Sequence, residues 1–370
     1  MKVALVTDRY ITGGGLHHIY RLVEGLPEIQ FGLFAQPGPA APQPGNLPNL
    51  KMIANNYAPD TVSGWQPDLI HFHHLRPLLR WSLVSRERIP VPRIFTVHGV
   101  HLRQYDFQKG IGAKFKKLLR RRLENFAYRC VDHLVVLSES DRAYLNANYS
   151  DIPQMSIIPN GISLRGGTRS ESGDKAALKK KLGLNPEQFH FLVVSRFHYQ
   201  KGYDLLLQAI ATFRKELSDK NAVFLLAGDG PDKENIERMA GELEIQPLPR
   251  FLGNRQDVDC WMQAADCLLL PSRWEGCPLV LFEAGRAGLP VAVADSPGVR
   301  DWIRPDDTGI LFDPFNRQAF GKSILQILDG KVPLKHLALR WKTEVEEKYD
   351  WNQLVRRYAE LYKGLLLPSK

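Results

Sequence analysis

Two carboxylates, Glu275 and Glu283, are separated by seven residues in the segment DCLLLPSRWEGCPLVLFEAGRAGLPVAVAD, residues 266–295. An ionised carboxylate only accepts hydrogen bonds, so the hydroxyls of a sugar or ribose are natural donors to it. The plain alternative is a pair of solvated surface charges. The flanking elements weigh against it. The apolar run Cys267–Leu270 reads as a buried parallel strand. Residues from about Pro278 to Arg286 read as a helix, and Leu289–Ala294 as the next strand. Glu275 then falls in the loop at the carboxyl end of a strand, and Glu283 in the first turns of the following helix. Open α/β sheets bind ligands at that edge.

A second group, Ser195-Arg196-Phe-His-Tyr-Gln-Lys201-Gly202, follows another apolar strand. Arg196 offers a planar fork and Lys201 a mobile point charge, both suited to a diphosphate. Both are expected to matter to activity more than to folding. Gly13-Gly14-Gly15 follows the first strand and opens the first helix, where a bare backbone and a helix start favour an anion. A tight turn without a ligand explains the same residues, and GGGLHH is not a dinucleotide fingerprint.

His98, in Val97-His98-Gly99, ends an apolar strand and is placed to enter a cleft. His71, His73 and His74 alternate around another strand end, but no ligand spacing completes a metal site, so none is expected. Asp257-Val258-Asp259 has the letters of a metal-binding DxD. It follows FLGN and starts a helix, where acids cap free N–H groups, and capping is the expected role.

The chain has 370 residues, enough for two domains. It has no apolar stretch of the length a membrane span needs, and its first residues, MKVALVTD, read as a strand rather than a signal peptide. Its four cysteines form no regular framework, which suits reduced thiols in the cytoplasm. The net charge of +9 is uneven: +8 over residues 1–165 and +1 over 166–370. Lys109–Arg122 holds seven basic residues and no acid. That asymmetry predicts an anionic partner for the first half. In the helix 109–128, Ile111, Phe115, Leu118, Leu119, Leu123, Phe126 and Ala127 follow helical spacing. One apolar stripe is expected to pack on the domain, with basic residues around the rest. An anionic membrane surface is the expected partner of Lys109–Arg122. No nucleic-acid module is visible, and no nucleic-acid partner is expected.

Strands are expected at 2–7, 29–34, 68–72, 93–98, 132–137 and 155–158, then at 189–195, 222–227, 249–252, 266–270, 290–294 and 309–312. Helices between them predict two parallel sheets, each covered on both faces. The stretch 37–48 carries five prolines and reads as a loop. Leu164–Lys175 reads as a linker. The domains are drawn at 1–165 and 166–350, with a helix in 351–370 packing back across the junction. Two such domains place a cleft between their strand ends.

These motifs, in this order, resemble family 4 glycosyltransferases: GGG at 13–15, VHG at 97–99, LSES at 137–140, PNG at 159–161, SRFHYQKG at 195–202, AGDGP at 227–231, FLG at 251–253 and PSRWEGCPLVLFEAGRAGLPV at 271–291. The resemblance covers most of the chain, and its E-x7-E segment is the most specific part. It implies a GT-B fold of two Rossmann-like domains. It further implies a retaining, metal-independent transferase that moves a sugar from a UDP- or GDP-linked donor to a glycan or lipid-linked acceptor, in polysaccharide or lipopolysaccharide biosynthesis. No cofactor is implied. By the same resemblance Glu283 holds the ribose, and Glu275 with Gly276, Cys277, Pro278 and Leu279 contacts the donor sugar. Arg196 and Lys201 meet the diphosphate, Gly14 and Gly15 close over it, and His98 sits by the transferring sugar. A location in the cytoplasm, at the inner face of the membrane, follows as an expectation. The run Ser296-Pro-Gly-Val-Arg-Asp301 departs from the Gly-Gly and Glu that many relatives carry there. The alternatives are a GT-B nucleotide-sugar epimerase and a non-catalytic sugar-binding protein. The first acts without an acceptor, and the second is expected to lose polar site residues.

Overall fold

The computed structural model describes residues 1–10, 14–38, 47–83, 89–108, 110–164 and 174–367. Most of the proline-rich loop and of the Gly/Ser-rich linker, together with Gly13 and Lys109, lies outside them. The chain forms two compact units, Met1–Asn160 with Trp351–Lys370, and Gly161–Asp350.

The first unit is built on a seven-stranded parallel sheet. Its strands are β1 (Lys2–Arg9), β2 (Gln30–Gln36), β3 (Leu50–Ala54), β4 (Leu69–Phe72), β5 (Arg93–Val97), β6 (His133–Val136) and β7 (Met155–Ile157), in the order β3-β2-β1-β4-β5-β6-β7. The inner strands are continuous apolar runs because helices cover both faces of the sheet. Leu5, for example, pairs with Leu33 on β2 and with His71 on β4. β3 is the strand that periodicity does not predict. It lies at the sheet edge, and its residues are mostly half-exposed or exposed.

The helix Trp351–Leu366 belongs to this unit. It buries Trp351, Leu354, Val355, Tyr358, Ala359 and Tyr362, one stripe at helical spacing. The Trp351 indole N–H donates to the Arg21 carbonyl at 3.0 Å. His71, fully buried on β4, bridges the Tyr362 hydroxyl and the Thr96 hydroxyl, each at 2.7 Å.

The second unit has six parallel strands: β8 (Phe189–Val194), β9 (Ala222–Ala227), β10 (Pro249–Gly253), β11 (Cys267–Leu270), β12 (Val291–Ala294) and β13 (Ile310–Phe312). Their order is β10-β9-β8-β11-β12-β13. Counted within the unit this is 3-2-1-4-5-6, the order of the dinucleotide-binding Rossmann fold. Its core packs Phe191, Leu206, Ile210, Leu226 and Leu269 around the sheet.

The basic helix, Ile111–Tyr128, reverses the expected orientation. Ile111 is 88% exposed and Phe115 65%, and Leu118, Leu119, Leu123 and Phe126 are exposed with them. The side turned to the unit runs through Ala113, Lys117, Arg120, Glu124 and Ala127. At about 100° per residue the two stripes lie on opposite faces. The polar stripe packs because it finds partners. Lys117 pairs with Asp106, and buried Glu124 accepts from Arg120 Nε at 2.5 Å and from the Tyr149 hydroxyl. Among the described residues the apolar stripe has no such cover and faces outward.

Candidate functional site

In the second sheet the strand order reverses beside β8, which has β9 on one side and β11 on the other. Loops leaving the carboxyl ends of β8 and β11 must diverge there, which opens the crevice where such sheets take ligands. Those loops are Ser195–Gly202 and Pro271–Pro278, the two segments singled out by their chemistry. The structure brings them together. Lys201 Nζ donates to both oxygens of Glu275, at 2.7 and 2.9 Å, and Ser272 Oγ donates to Oε1 at 2.5 Å. Glu275 is only 5% exposed. Its carboxylate is therefore a buried charge held by one cation and one hydroxyl.

This pairing gives Lys201 a structural role beside the role in activity expected of it. A buried carboxylate stripped of its cation is strongly destabilising. Arg196 differs. Its side chain is exposed, and among the described residues no hydrogen bond or ion pair engages it. Glu283 is half-buried in the second turn of the helix Leu279–Ala287. That helix starts at Pro278 with no side-chain cap and no acid in its first turn. Gly276, Cys277 and Pro278 form the approach to it, and the Gly276 carbonyl accepts from the Trp302 indole at 3.2 Å.

Several residues that fix this geometry were not read from the sequence. Arg273 forks onto Asp204 at 2.9 and 2.6 Å, donates to the Tyr199 carbonyl at 2.6 Å and lies 3.9 Å over the Tyr199 ring. Gln200 Nε2 donates to the Trp274 carbonyl at 2.9 Å. Gly202 sits at φ +68°, and a Cβ there would lie 2.0 Å from the Pro271 carbonyl oxygen. Gly298 is at φ +84°, and a Cβ would lie 1.8 Å from the Glu275 carbonyl oxygen. The Glu275 N–H donates to the Pro297 carbonyl at 2.9 Å. The departure at 296–301 is thus the brace of the Glu275 loop. Its signal was present: a Pro-Gly pair directly after a strand.

Asp257 and Asp259 require a correction. Asp257 stands at the start of the helix Val258–Ala264, yet its side chain caps no N–H. It forms a two-point pair with Arg255 at 2.8 and 2.7 Å, and hydrogen bonding from that guanidinium lowers its carboxyl below the ordinary range. Asp259 accepts from Arg286 at 2.7 Å. Arginine pairing displaces capping because a guanidinium meets both carboxylate oxygens, where an N–H meets one.

In the first unit, Gly14 and Gly15 open the helix Gly14–Gly25 at the end of β1. His98 follows β5, and its Nε2 lies 3.0 Å from His73 Nδ1. His18, from that helix, reaches the same place. One ring nitrogen of each of His18, His73 and His98 lies within 4.8 Å of the others. No local pattern marks this grouping, because the three are 55 and 25 residues apart in the chain. Burial lowers His18 to about 4 and holds His73 and His98 well below their ordinary value.

The family model of glycosyl transferases group 1 matches residues 174–348, and that of glycosyltransferase family 4 matches residues 12–165. The UDP-Gal:alpha-D-GlcNAc-diphosphoundecaprenol alpha-1,3-galactosyltransferase of Escherichia coli is 27% identical over 303 residues, covering 81% of this chain and 76% of that one. Sucrose-phosphate synthase from Thermosynechococcus elongatus superposes with a TM-score of 0.83 at 21% identity, covering 100% of both chains. Anabaena HepE in complex with UDP-glucose gives 0.78 at 19% identity, covering 98% of this chain and 100% of that one. The two parallel-sheet domains are those of a GT-B glycosyltransferase. The chain belongs to glycosyltransferase family 4.

Proposed function

We propose that this glycosyltransferase takes a nucleotide-diphosphate sugar, UDP- or GDP-linked, and transfers the sugar with retention to a glycan or lipid-linked acceptor without a metal ion. The observation that carries the proposal is the β8–β11 crevice. There the exposed Arg196, the Lys201–Glu275 pair and a helix start without a side-chain cap lie on loops laced to one another. A diphosphate placed there meets a guanidinium, an ammonium and free helix N–H groups, the donors that stabilise a departing phosphate. Glu283 is assigned to the ribose hydroxyls, and Glu275 with Gly276, Cys277, Pro278 and Leu279 to the donor sugar. Gly14, Gly15 and His98 keep the roles the family resemblance gives them. Arg196, Lys201 and the helix N–H groups are the donors assigned to the diphosphate, and Asp257 and Asp259 are committed to arginines, so no divalent ion is assigned to the site.

The acceptor is assigned to a membrane. No described helix is long and apolar enough to cross one. The helix Ile111–Tyr128 instead offers exposed Ile111, Phe115, Leu119 and Phe126, with Lys114, Lys116, Arg121 and Arg122 exposed among and beside them. An apolar stripe edged by cations lies in the interface of an anionic leaflet. A lipid-linked acceptor is also what the printed name of the E. coli relative describes. A thermal-shift screen of UDP- and GDP-sugars in excess EDTA tests the donor assignment. A cognate donor at 100 times its Kd adds about 2.7 kcal/mol of stability. No shift with any of them, or a shift that needs Mg²⁺ or Mn²⁺, refutes the proposal.

A further inference from the structure

His18, His73 and His98 come from three separate elements: the first helix, the turn after β4 and the turn after β5. His18 and His73 are buried, at 5% and 2% exposure. Among the described residues the Nε2 of His18 has no hydrogen-bond partner, while His73 meets His98 through its Nδ1. A buried imidazole nitrogen without a partner is costly unless something fills the place. His18 Nδ1 lies 3.1 Å from the side-chain carbonyl oxygen of Asn160. That oxygen only accepts, so Nδ1 carries the proton and Nε2 presents a bare lone pair. A backing carbonyl of this kind is what orients a metal-binding histidine. Burial keeps all three rings neutral, the form that binds metal.

We propose that the His18–His73–His98 cluster is an inhibitory binding site for a borderline divalent cation, Zn²⁺ first among them. Three imidazoles and no carboxylate in the cluster select Zn²⁺, Co²⁺ or Ni²⁺ over Mg²⁺ and Ca²⁺. Tetrahedral Zn–N bonds of about 2.0–2.1 Å set nitrogen–nitrogen separations near ~3.3 Å. The His73–His98 pair, at 3.0 Å, already meets this, and the third ring closes in from within 4.8 Å. Water or an anion completes the fourth position. Binding takes the lone pair of His98 and breaks its contact with His73, so the metal opposes transfer rather than assisting it. The inhibitory half rests on the role proposed for His98; the binding half rests on geometry alone.

The test is titration of the full chain, stripped with EDTA and dialysed, with Co²⁺ and then with Zn²⁺. Visible d–d absorption reports Co²⁺ uptake, and calorimetry reports Zn²⁺. The wild type is expected to take up one equivalent with tetrahedral-type bands that Zn²⁺ displaces and Mg²⁺ does not. His18→Gln and His73→Gln, confirmed folded by their melting curves, are expected to lose the bands. Asn160→Ala is expected to weaken binding by about tenfold, as loss of a backing contact does. Absence of saturable uptake, or bands unchanged in both histidine variants, overturns the proposal. Activity then tests the consequence: Zn²⁺ inhibits in step with Co²⁺-competent occupancy and EDTA restores turnover. Full activity of the metal-loaded protein refutes the inhibitory half. A protein inactive on every donor tried counts against the function proposed above, and the spectra still decide the site.

Discussion

Lys201→Ala and Arg196→Ala are expected to separate folding from activity, although both residues sit on one loop. Glu275 is 5% exposed, and its charge is met by Lys201 at 2.7 and 2.9 Å. Truncating Lys201 leaves that carboxylate with Ser272 alone. Breaking a buried pair from one side costs about 3–5 kcal/mol. The Lys201 side chain keeps 21% exposure, so water reaches the site and the lower end, about 3 kcal/mol, applies. For a unit of this size each kcal/mol moves Tm by about 2–4 °C, giving a loss of roughly 6–12 °C. Arg196 is exposed and unengaged among the described residues, so Arg196→Ala is expected to stay within about 0.5 kcal/mol of wild type. Its activity is expected to fall about 30- to 1,000-fold, the effect of losing roughly 2–4 kcal/mol of charge stabilisation. The double variant Lys201→Met/Glu275→Gln removes both charges and is expected to melt above Lys201→Ala. Calorimetry and a donor-turnover assay on the three proteins check this. A Lys201→Ala Tm within about 2 °C of wild type, or an Arg196→Ala protein as labile as Lys201→Ala, refutes the reasoning.

Gly298→Ala puts a Cβ where the Glu275 carbonyl oxygen stands, 1.8 Å away, so the Glu275 loop must shift. Displacement on the order of 1 Å costs about 100-fold in turnover, and unchanged kinetics would show that the loop does not position Glu275. Asp266 receives Lys179 and Lys175, both at 2.8 Å, and hydrogen bonding from His190. These overcome burial, which alone would raise its pKa, and hold it below the ordinary carboxylate value. The stability it supplies is present above its unfolded pKa and is lost as pH falls toward its folded one. Asp266→Asn is therefore expected to cost about 3 kcal/mol at pH near 7, with the gap to wild type closing only below pH ~4; a gap independent of pH contradicts this. Flotation with liposomes is expected to rise with phosphatidylglycerol and fall with salt. Phe115→Asp and Leu119→Asp should abolish it while leaving the melting curve intact, and undiminished flotation of both removes the helix from the interface.

The parallel strands were legible because burial on both faces writes them as apolar runs, as in Cys267–Leu270 and Ala222–Ala227. β3 was not, since an edge strand needs no such run. The loops bearing Arg196, Lys201 and Glu275 were found by residue type and by their place after a strand. Their brace at Pro297–Gly298 was seen only as an irregularity, because a close backbone approach shows in φ and distance, not in letters. On the helix Ile111–Tyr128 the period was read correctly and the direction was not. Periodicity locates a stripe, but which stripe packs depends on partners such as Asp106 and Tyr149, distant in sequence. The histidine cluster had no local signal at all, since the strand order β2-β1-β4-β5 assembles it.

The central claim is that Arg196 and the Lys201–Glu275 loops activate a nucleotide-sugar bond with retention and without metal. Its most direct test is hydrolysis of UDP- and GDP-sugars by the full chain in EDTA, without acceptor, followed by proton NMR before the free sugar mutarotates. The account predicts slow release of the sugar in the anomeric configuration of the donor, lost in Arg196→Ala. Release of the inverted anomer, release only after Mg²⁺ or Mn²⁺ is added, or undiminished release by Arg196→Ala would contradict it.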